Sequence, residues 1–500
     1  MKFYVEDGAL IPGFHEGDFL LEHCEWNDWW RYENLYTLKY VNQDQEYLIG
    51  QVKIGDISGD SDQRIPAIPN SFDQLDSMHF VSLGQGTDYY AALNALGLER
   101  RVFVLTALND IAYNLTYYQK YNKLGVIRNS LLRDISVQTV TNQFHRMANG
   151  GAVSTPYEFE YIYPTIDNAV LNSPHLCFSV VPDSTPPTNI HVLIGRNGVG
   201  KTWLLKNMIE SLYTKDANCG QFVFEDRQTQ FSNIVCLAFS VFDQFPTAQS
   251  NEDLKYTHIG VRSSFEGKSI ELDDQFAISL TTCMTNKTRY KRWKDIISIL
   301  NSDPIFAEIN LVDYIEEIQN NRRQYTRKKA EVQIKRLFRR LSSGHKIVAL
   351  AITRLVETVE ECTLVLLDEP ELHLHPPLLS AFTRALSQLL IDRNGVAIIT
   401  THSPVILQEV PKSCVWILRR SGQFVSADRP EIETFGENVG SLTSEVFRLE
   451  VMESGFHKML KEKLSKHHGD FEDALEEFEG QLGSEAVSLL KIMSLQYGGE

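Results

Sequence analysis

The sequence predicts an α/β fold, and three observations carry that prediction. Four short runs, Ile190 to Ile194, Ile234 to Phe239, Thr363 to Leu367 and Val396 to Thr400, are largely apolar on both faces, as strands inside a parallel sheet must be. Helical segments separate them, which is the alternation of an α/β core. The first run leads into the glycine-rich stretch Gly195-Arg196-Asn197-Gly198-Val199-Gly200-Lys201-Thr202, and then into an apolar helix starting Trp203-Leu204-Leu205.

Upstream of that core, residues 1–150 read as a separate α+β domain. Leu35 to Val41 and Tyr47 to Ile54 look like strands, and the turn-rich Asn42-Gln43-Asp44-Gln45 between them suggests a hairpin. From Asp88 to Met147 the pattern becomes helical. The tract Asn149 to Pro156 marks a boundary. Residues 151–460 then form the main domain, opening with strands Phe159 to Tyr163 and Leu176 to Val181, and residues 461–500 form an acidic helical tail. Asp470, Glu472, Asp473, Glu476, Glu477 and Glu479 crowd that tail, either as a solvated helix face or as a docking surface for a partner.

Bulk composition narrows the setting. A chain of 500 residues has room for roughly two to four domains, and 43% apolar residues exclude a disordered one. Neither a secretory leader nor an apolar run near the ~18 residues of a membrane span is found. Seven cysteines without a C-x-x-C pair fit a reducing cytoplasm, where we expect the protein. A net charge of −17 repels nucleic acid overall, so contact with it needs a local basic surface.

Gly195 to Thr202 fits G-x-x-x-x-G-K-[ST]. Its glycines allow the backbone to curl so that N–H groups face phosphate oxygens, with Gly195, Asn197, Gly198 and Gly200 forming the cradle. Lys201 would bridge the β- and γ-phosphates of ATP, and Thr202 would ligate Mg²⁺. The run Leu364 to Leu367 ends in Asp368-Glu369. Asp368 would reach the metal, directly or through water, and Glu369 would orient the attacking water.

With these segments in this order, the chain resembles the ABC-type ATPase superfamily, in its SMC/RecF-like branch. The resemblance implies an ABC-type P-loop head with an antiparallel β subdomain and a helical insert. Leu341-Ser342-Ser343-Gly344-His345 stands where that superfamily has L-S-G-G-Q, departing at Ser343 and His345. It implies that Ser342, Ser343 and Gly344 contact the γ-phosphate held by a second copy, so the active form is a head-to-tail homodimer around two ATPs. It also implies that Gln244, or failing that Asp243, senses the metal and the water, that His402 contacts the γ-phosphate, and that Glu371 to Pro376 is the D-loop along the dimer interface rather than a metal site built on His373 and His375.

The insert of about 285–340 decides between branches. About 140 residues separate Lys201 from Leu341, too few for a long coiled-coil arm. From Arg322 to Arg340 there are nine Lys/Arg against the single acid Glu331, and Lys287, Arg289, Lys291, Arg292 and Lys294 flank Tyr290 and Trp293. This is either a grip on the phosphate backbone of DNA or tRNA, or a helix that pairs with the acidic C-terminal segment or with a partner. Phe435 to Phe447, with F-S-x-F-D at Phe239 to Asp243 and the L-S-S-G-H segment, resembles PtuA-like ATPases of antiphage systems, found in Septu and some retron operons. That resemblance spans about residues 155–460 and implies a regulator that senses invasion and controls a separate effector protein, a nuclease or toxin. The 98 residues beyond His402 contain no Asp-x-Asp, so no intrinsic nuclease is expected. A RecF-like repair ATPase, and a scaffold with a structural ATP site, are the competing readings.

Overall fold

The computed structural model describes the chain except for residues 7–15, 25–31, 43–44, 59–64, 134, 165–173, 215–216, 225–230, 240–244, 246–253, 261–263, 266–267, 270, 286, 321–326, 423, 454 and 498–500. The N-terminal region builds a six-stranded sheet from β1 (Phe3–Glu6), β2 (Phe19–His23), β3 (Leu35–Asn42), β4 (Gln45–Asp56), β5 (Ser71–Phe72) and β6 (Phe80–Gly84), in the order β5-β1-β2-β3-β4-β6. β3 and β4 are the hairpin read from the sequence. Helices α1 (Thr87–Ala95), α2 (Leu98–Ala107), α3 (Leu115–Tyr121) and α4 (His145–Ala148) follow, and Tyr89, Leu93, Val104 and Phe144 pack with the sheet into one core.

The chain then enters the larger unit. β7 (Tyr157–Ile162) and β8 (His175–Val180) pair with a later strand, β10 (Gln221–Phe224), as a three-stranded antiparallel sheet. Its alternating burial shows one face in the core and one in solvent. Between β8 and β10 come β9 (Ile190–Ile194) and α5 (Lys201–Tyr213). The main sheet adds β11 (Asn233–Ala238), β12 (Lys255–Gly260), and, after the insert, β15 (Thr363–Asp368), β16 (Val396–Thr401), β17 (Val415–Ser421) and β18 (Phe424–Asp428). A small hairpin, β13 (Ser264–Phe265) and β14 (Lys268–Ser269), precedes the insert. The seven-stranded order is β12-β11-β15-β16-β9-β17-β18, parallel throughout except for β17 with β18.

Both faces of this sheet are covered, which is why its central strands read as unbroken apolar runs. Val192, Leu237, Val365 and Ile399 pack on one side. Leu193, Cys236, Leu366 and Ile398 pack on the other, under α5 and the antiparallel sheet. The first side is roofed by α6 (Leu272–Met284), α7 (Lys287–Ile299), α8 (Pro304–Ile309), α9 (Leu311–Asn320), α10 (Arg327–Arg339), α11 (Ser343–Thr358), α12 (Pro376–Arg393) and α13 (Pro404–Leu407). α12 starts at a proline, with His375 Nδ1 accepting from Leu378 N, and stops at Asn394 in the left-handed region.

The insert is a helical layer that contributes to this core. Trp293 is fully buried and its Nε1 donates to Thr353 Oγ1 at 2.9 Å, while Tyr290 stacks on it. Its cations meet acids of the same layer: Arg339 with Asp273 at 2.6 Å, Lys294 with Glu316 at 2.5 Å, and Lys335 with Asp274. Lys329, Arg336 and Arg340 are exposed. Downstream, α14 (Val439–Glu453) leads to α15 (Gly455–Lys466), α16 (Phe471–Glu476) and α17 (Ser484–Tyr497), which enclose a small core of Leu460, Leu464, Ala474 and Leu490. Within that tail, Lys463, Lys466 and His467 hold the Glu477 carboxyl well below its usual range.

One residue of β9 departs from the apolar pattern. His191 is fully buried against Phe178, and among the described residues neither ring nitrogen has a hydrogen-bond partner. Burial, with a smaller contribution from Arg429, pushes its pKa down to about 3, from 6.5. The folded state therefore holds the ring neutral while the unfolded state takes a proton below pH 6.5. Stability falls by up to about 1.4 kcal/mol per pH unit as pH drops from 6.5 toward 3. His191→Phe keeps the ring packing and removes the titration. Urea unfolding at a series of pH values will show a shallower loss for the variant between pH 6.5 and 4; equal slopes would exclude His191 as the cause.

Candidate nucleotide site

Four parallel strands end level with one another. Ala238 faces Asp368 in the ladder, Asp368 faces Thr400, and Thr401 faces Ile194. Their carboxyl ends deliver the phosphate-loop stretch, the Asp-Glu pair and the Thr-His pair to one crevice, the usual place for a ligand in an open α/β sheet.

The loop from Gly195 to Gly200 turns the chain from β9 into α5. Gly200 caps the helix at φ 97°, a conformation that side chains disfavour. The first residue of α5, Lys201, is buried, and its ammonium donates to the carbonyls of Gly195 at 3.0 Å and Arg196 at 3.3 Å. It also lies 3.6 Å from Glu369 Oε1. Thr202 Oγ1 donates to Asp368 Oδ2 at 2.7 Å, and Thr400 Oγ1 donates to the other oxygen of the same carboxylate. Asp368 is 1% exposed, so a carboxylate and a hydroxyl meet in a nearly dry place beside an open cleft. All-oxygen donors of this kind suit Mg²⁺. The cleft above the loop, about 600 Å³, is lined by Arg196, Asn197, Gly198 and Arg420.

Glu369 sits at φ 45°, a left-handed backbone that a non-glycine residue adopts at a cost of order 1–3 kcal/mol. Its N–H donates to Thr400 O at 3.0 Å, which fixes the turn. The side chain points back to Lys201 and lies 3.8 Å from His402 Nδ1. Thus Lys201, Thr202, Asp368, Glu369 and His402, read separately from the sequence, meet in one place. Gln244 and Asp243 lie outside the described residues.

Two participants were missed in the sequence. Glu371 Oε1 accepts from Thr401 Oγ1 at 2.7 Å and from the backbone N–H of His402 at 2.8 Å, and lies 3.1 Å from His402 Nδ1. It orients the histidine from a 3-10 turn, Pro370–His373. In the sequence Glu371 reads only as part of the D-loop, and no local signal marks its contact with His402. Arg420, on β17, overhangs the loop, with only the Arg419-Arg420 pair after an apolar strand as its sequence signal.

The segment Leu341 to His345 starts α11. Among the described residues, Ser342, Ser343 and Gly344 make no hydrogen bond or ion pair with Gly195 to Thr202 of the same chain. Instead they abut the 3-10 turn: a Cβ on Gly344 would lie 2.7 Å from His373 O, so only glycine permits this approach. His345, in place of a glutamine, is buried; its Nδ1 is 2.6 Å from Ser342 Oγ and its Nε2 is 2.9 Å from Asp303 Oδ1. Burial opposes the Asp303 charge, but hydrogen bonds from His345 and from the N–H groups of Phe306 and Ile305 outweigh it and hold the carboxyl below its usual range. His375 Nε2 lies 3.5 Å from the same carboxylate, giving a His-His-Asp group. His375 Nδ1 already accepts from Leu378 N, so a neutral ring carries its proton on Nε2, toward Asp303, rather than a lone pair for a metal.

Relatives bear on this arrangement. Protein ea59 of Escherichia phage lambda is 36% identical over 513 residues, covering 98% of this chain and 97% of that protein. The chain belongs to the ea59 family. The family described as "AAA domain, putative AbiEii toxin, Type IV TA system" matches residues 250–408, from before the insert to just past His402. Solved structures with fold-level likeness include a "metal-chelate type ABC transporter" in an inward-facing conformation (15% identity, 59% of this chain and 89% of that one, TM-score 0.30) and an ADP conformation of an ATP-binding cassette of an ABC transporter (14%, 51% and 85%, TM-score 0.27). At such scores the assignment rests on strand order and on the loop geometry described above. Within this member of the ea59 family, residues 250–408 match an AAA domain, and the strand order and loop geometry are those of a nucleotide-binding site.

Because Glu371 accepts from Thr401 Oγ1 and from the His402 backbone N–H, Glu371→Ala will cut ATP turnover about tenfold or more while leaving ATP affinity within about threefold. Steady-state turnover together with direct nucleotide binding separates the two. A proportional loss of affinity would instead make Glu371 part of the binding surface.

Proposed function

We propose that this protein binds and hydrolyses Mg²⁺-ATP, and that two copies close head-to-tail so that Ser342, Ser343 and Gly344 of each complete the site of the other. The observation that carries the reading is the hydrogen bond between Thr202 and Asp368, which joins a phosphate-loop helix to a carboxylate strand as a magnesium site requires. Lys201 would neutralise the β- and γ-phosphates, and Arg196 and Arg420 add positive charge at the same mouth. Bound Mg²⁺ would supply further charge neutralisation between Thr202 and Asp368. Glu369 would accept the proton of the attacking water, and His402, steadied by Glu371, would donate toward the γ-phosphate. Gln244 completes the proposed set.

The signature helix supports the shared-site reading. Gly344 packs against the D-loop rather than against its own phosphate loop, which leaves this segment to a second copy. The biological reading is that ATP-driven closure senses invasion and restrains or releases a separate nuclease or toxin in antiphage defence. The phage origin of the ea59 relative is compatible with such a role, since phages compete for hosts. A RecF-like role in repair is the alternative. The internal pairing of Lys294, Lys335 and Arg339 leaves fewer cations of the insert for a nucleic-acid backbone, which favours the regulator.

Glu369→Gln will bind ATP normally, lose at least about 100-fold in turnover and accumulate as an ATP-bound dimer in size-exclusion chromatography. Wild-type turnover by that variant would remove Glu369 from the role of base. A monomer that persists with saturating ATP would remove the shared site. Co-purification with neighbouring gene products, compared with DNA binding by the isolated chain, distinguishes regulator from repair ATPase.

A further inference from the structure

The seam between the N-terminal domain and the ATPase domain holds a small cavity of about 40 Å³. Arg289 and Arg292, one turn apart on α7, and Arg393, the last residue of α12, line one side. Ser136 and Thr139 of the N-terminal domain present hydroxyls, 2.9 Å apart, on the other. Glu357 and Glu360 also reach the rim. Each already has a partner, Arg354 at 2.8 Å for Glu357 and Lys255 at 3.3 Å for Glu360.

Arg292 is the unexplained group. It is half-buried, and among the described residues no hydrogen bond or ion pair involves its guanidinium. Burial first, then the neighbouring charge of Arg393, push its pKa down to about 9 against the opposing pull of Asp392, with Arg289 and Asp88 adding smaller effects of opposite sign. Arg393 gives one N–H to Val359 O at 3.3 Å and is itself depressed by burial. Drawing Arg292 and Arg393 out of water is costly, the pull of Asp392, Glu360 and Glu361 offsets only part of it, and a bound anion lowers the remainder.

We propose that this cavity binds one phosphate-class oxyanion, held between Arg292 and Arg393 and closed over by Ser136 and Thr139. Size sets the class. At roughly 10–15 Å³ per water, the space takes about three waters, which matches a single tetrahedral oxyanion and excludes a nucleoside. Arginine forks and hydroxyls are the donors that such an ion takes. The site is separate from the phosphate loop, and it does not depend on the nucleotide reading. Its position gives it a consequence. α11 and α12 start at the signature and the D-loop, and both end at this cavity, so an anion here would tie the N-terminal domain to the far ends of both helices.

The test uses the full chain carrying Lys201→Ala, which weakens phosphate binding at the loop. Inorganic phosphate and ribose 5-phosphate are titrated by calorimetry, in buffers free of other oxyanions, with and without Arg292→Gln. The expected result is one site for inorganic phosphate that weakens at least tenfold in Arg292→Gln and is partly restored by Arg292→Lys. Binding of ribose 5-phosphate to the same site would identify a monoester as an acceptable source, and its absence would restrict the site to the free ion. Thermal melts give a second readout: Arg292→Gln melts at or above the parent without phosphate and below it with phosphate. No binding by the parent, or binding unchanged by Arg292→Gln, overturns the proposal.

Discussion

Thr202 and Asp368 are 166 residues apart in sequence, with one intervening strand between their sheet positions, and a single hydrogen bond of 2.7 Å joins them. Asp368 is almost wholly withdrawn from water, so its carboxylate must be met by donors, and Thr202 and Thr400 are those donors. The bond requires β9, β16 and β15 to end at the same level, as the ladder has them, with Asp368 beside Thr400 and Thr401 beside Ile194. The placement of Lys201 over Glu369, and of Glu369 near His402, follows from that alignment.

The parts that were legible in the sequence are those whose cause is local. Ile190 to Ile194 and Thr363 to Leu367 are recognisable because a strand buried on both sides has no polar alternation. The phosphate loop is recognisable because its backbone needs glycine at defined positions. Other features arise only where distant segments meet. Glu371 gains its role from Thr401 and His402, and His345 from Asp303, which lies 42 residues upstream. Tyr290 and Trp293 were read among flanking cations, yet their spacing of three places them on the core stripe of α7, where Trp293 reaches Thr353. The local charge concealed a helix face whose partner comes later in the chain.

The match to ea59 runs through almost the whole of both chains. The N-terminal sheet domain and the C-terminal helices are therefore part of the family's common build and not additions to an ATPase. A contact at the seam agrees: Arg146 of α4 pairs with the buried Glu361 at 2.8 Å, just ahead of β15. Glu361 is buried enough that its carboxyl is raised despite that arginine, so separating the two units would expose or orphan charge on both sides.

The turn Pro370–His373 has four residues. At roughly 2 Å of rise per residue it is about 8 Å long, too short to bend between its ends. One end follows Glu369, its third-from-last residue Glu371 grips His402, and its last residue lends a carbonyl to the surface of Gly344. A push on the front of α11 thus arrives at the histidine as a displacement of one stiff piece. In mechanical terms the His402 end and the Gly344 end of this turn share one short link, so a shift at either end carries to the other.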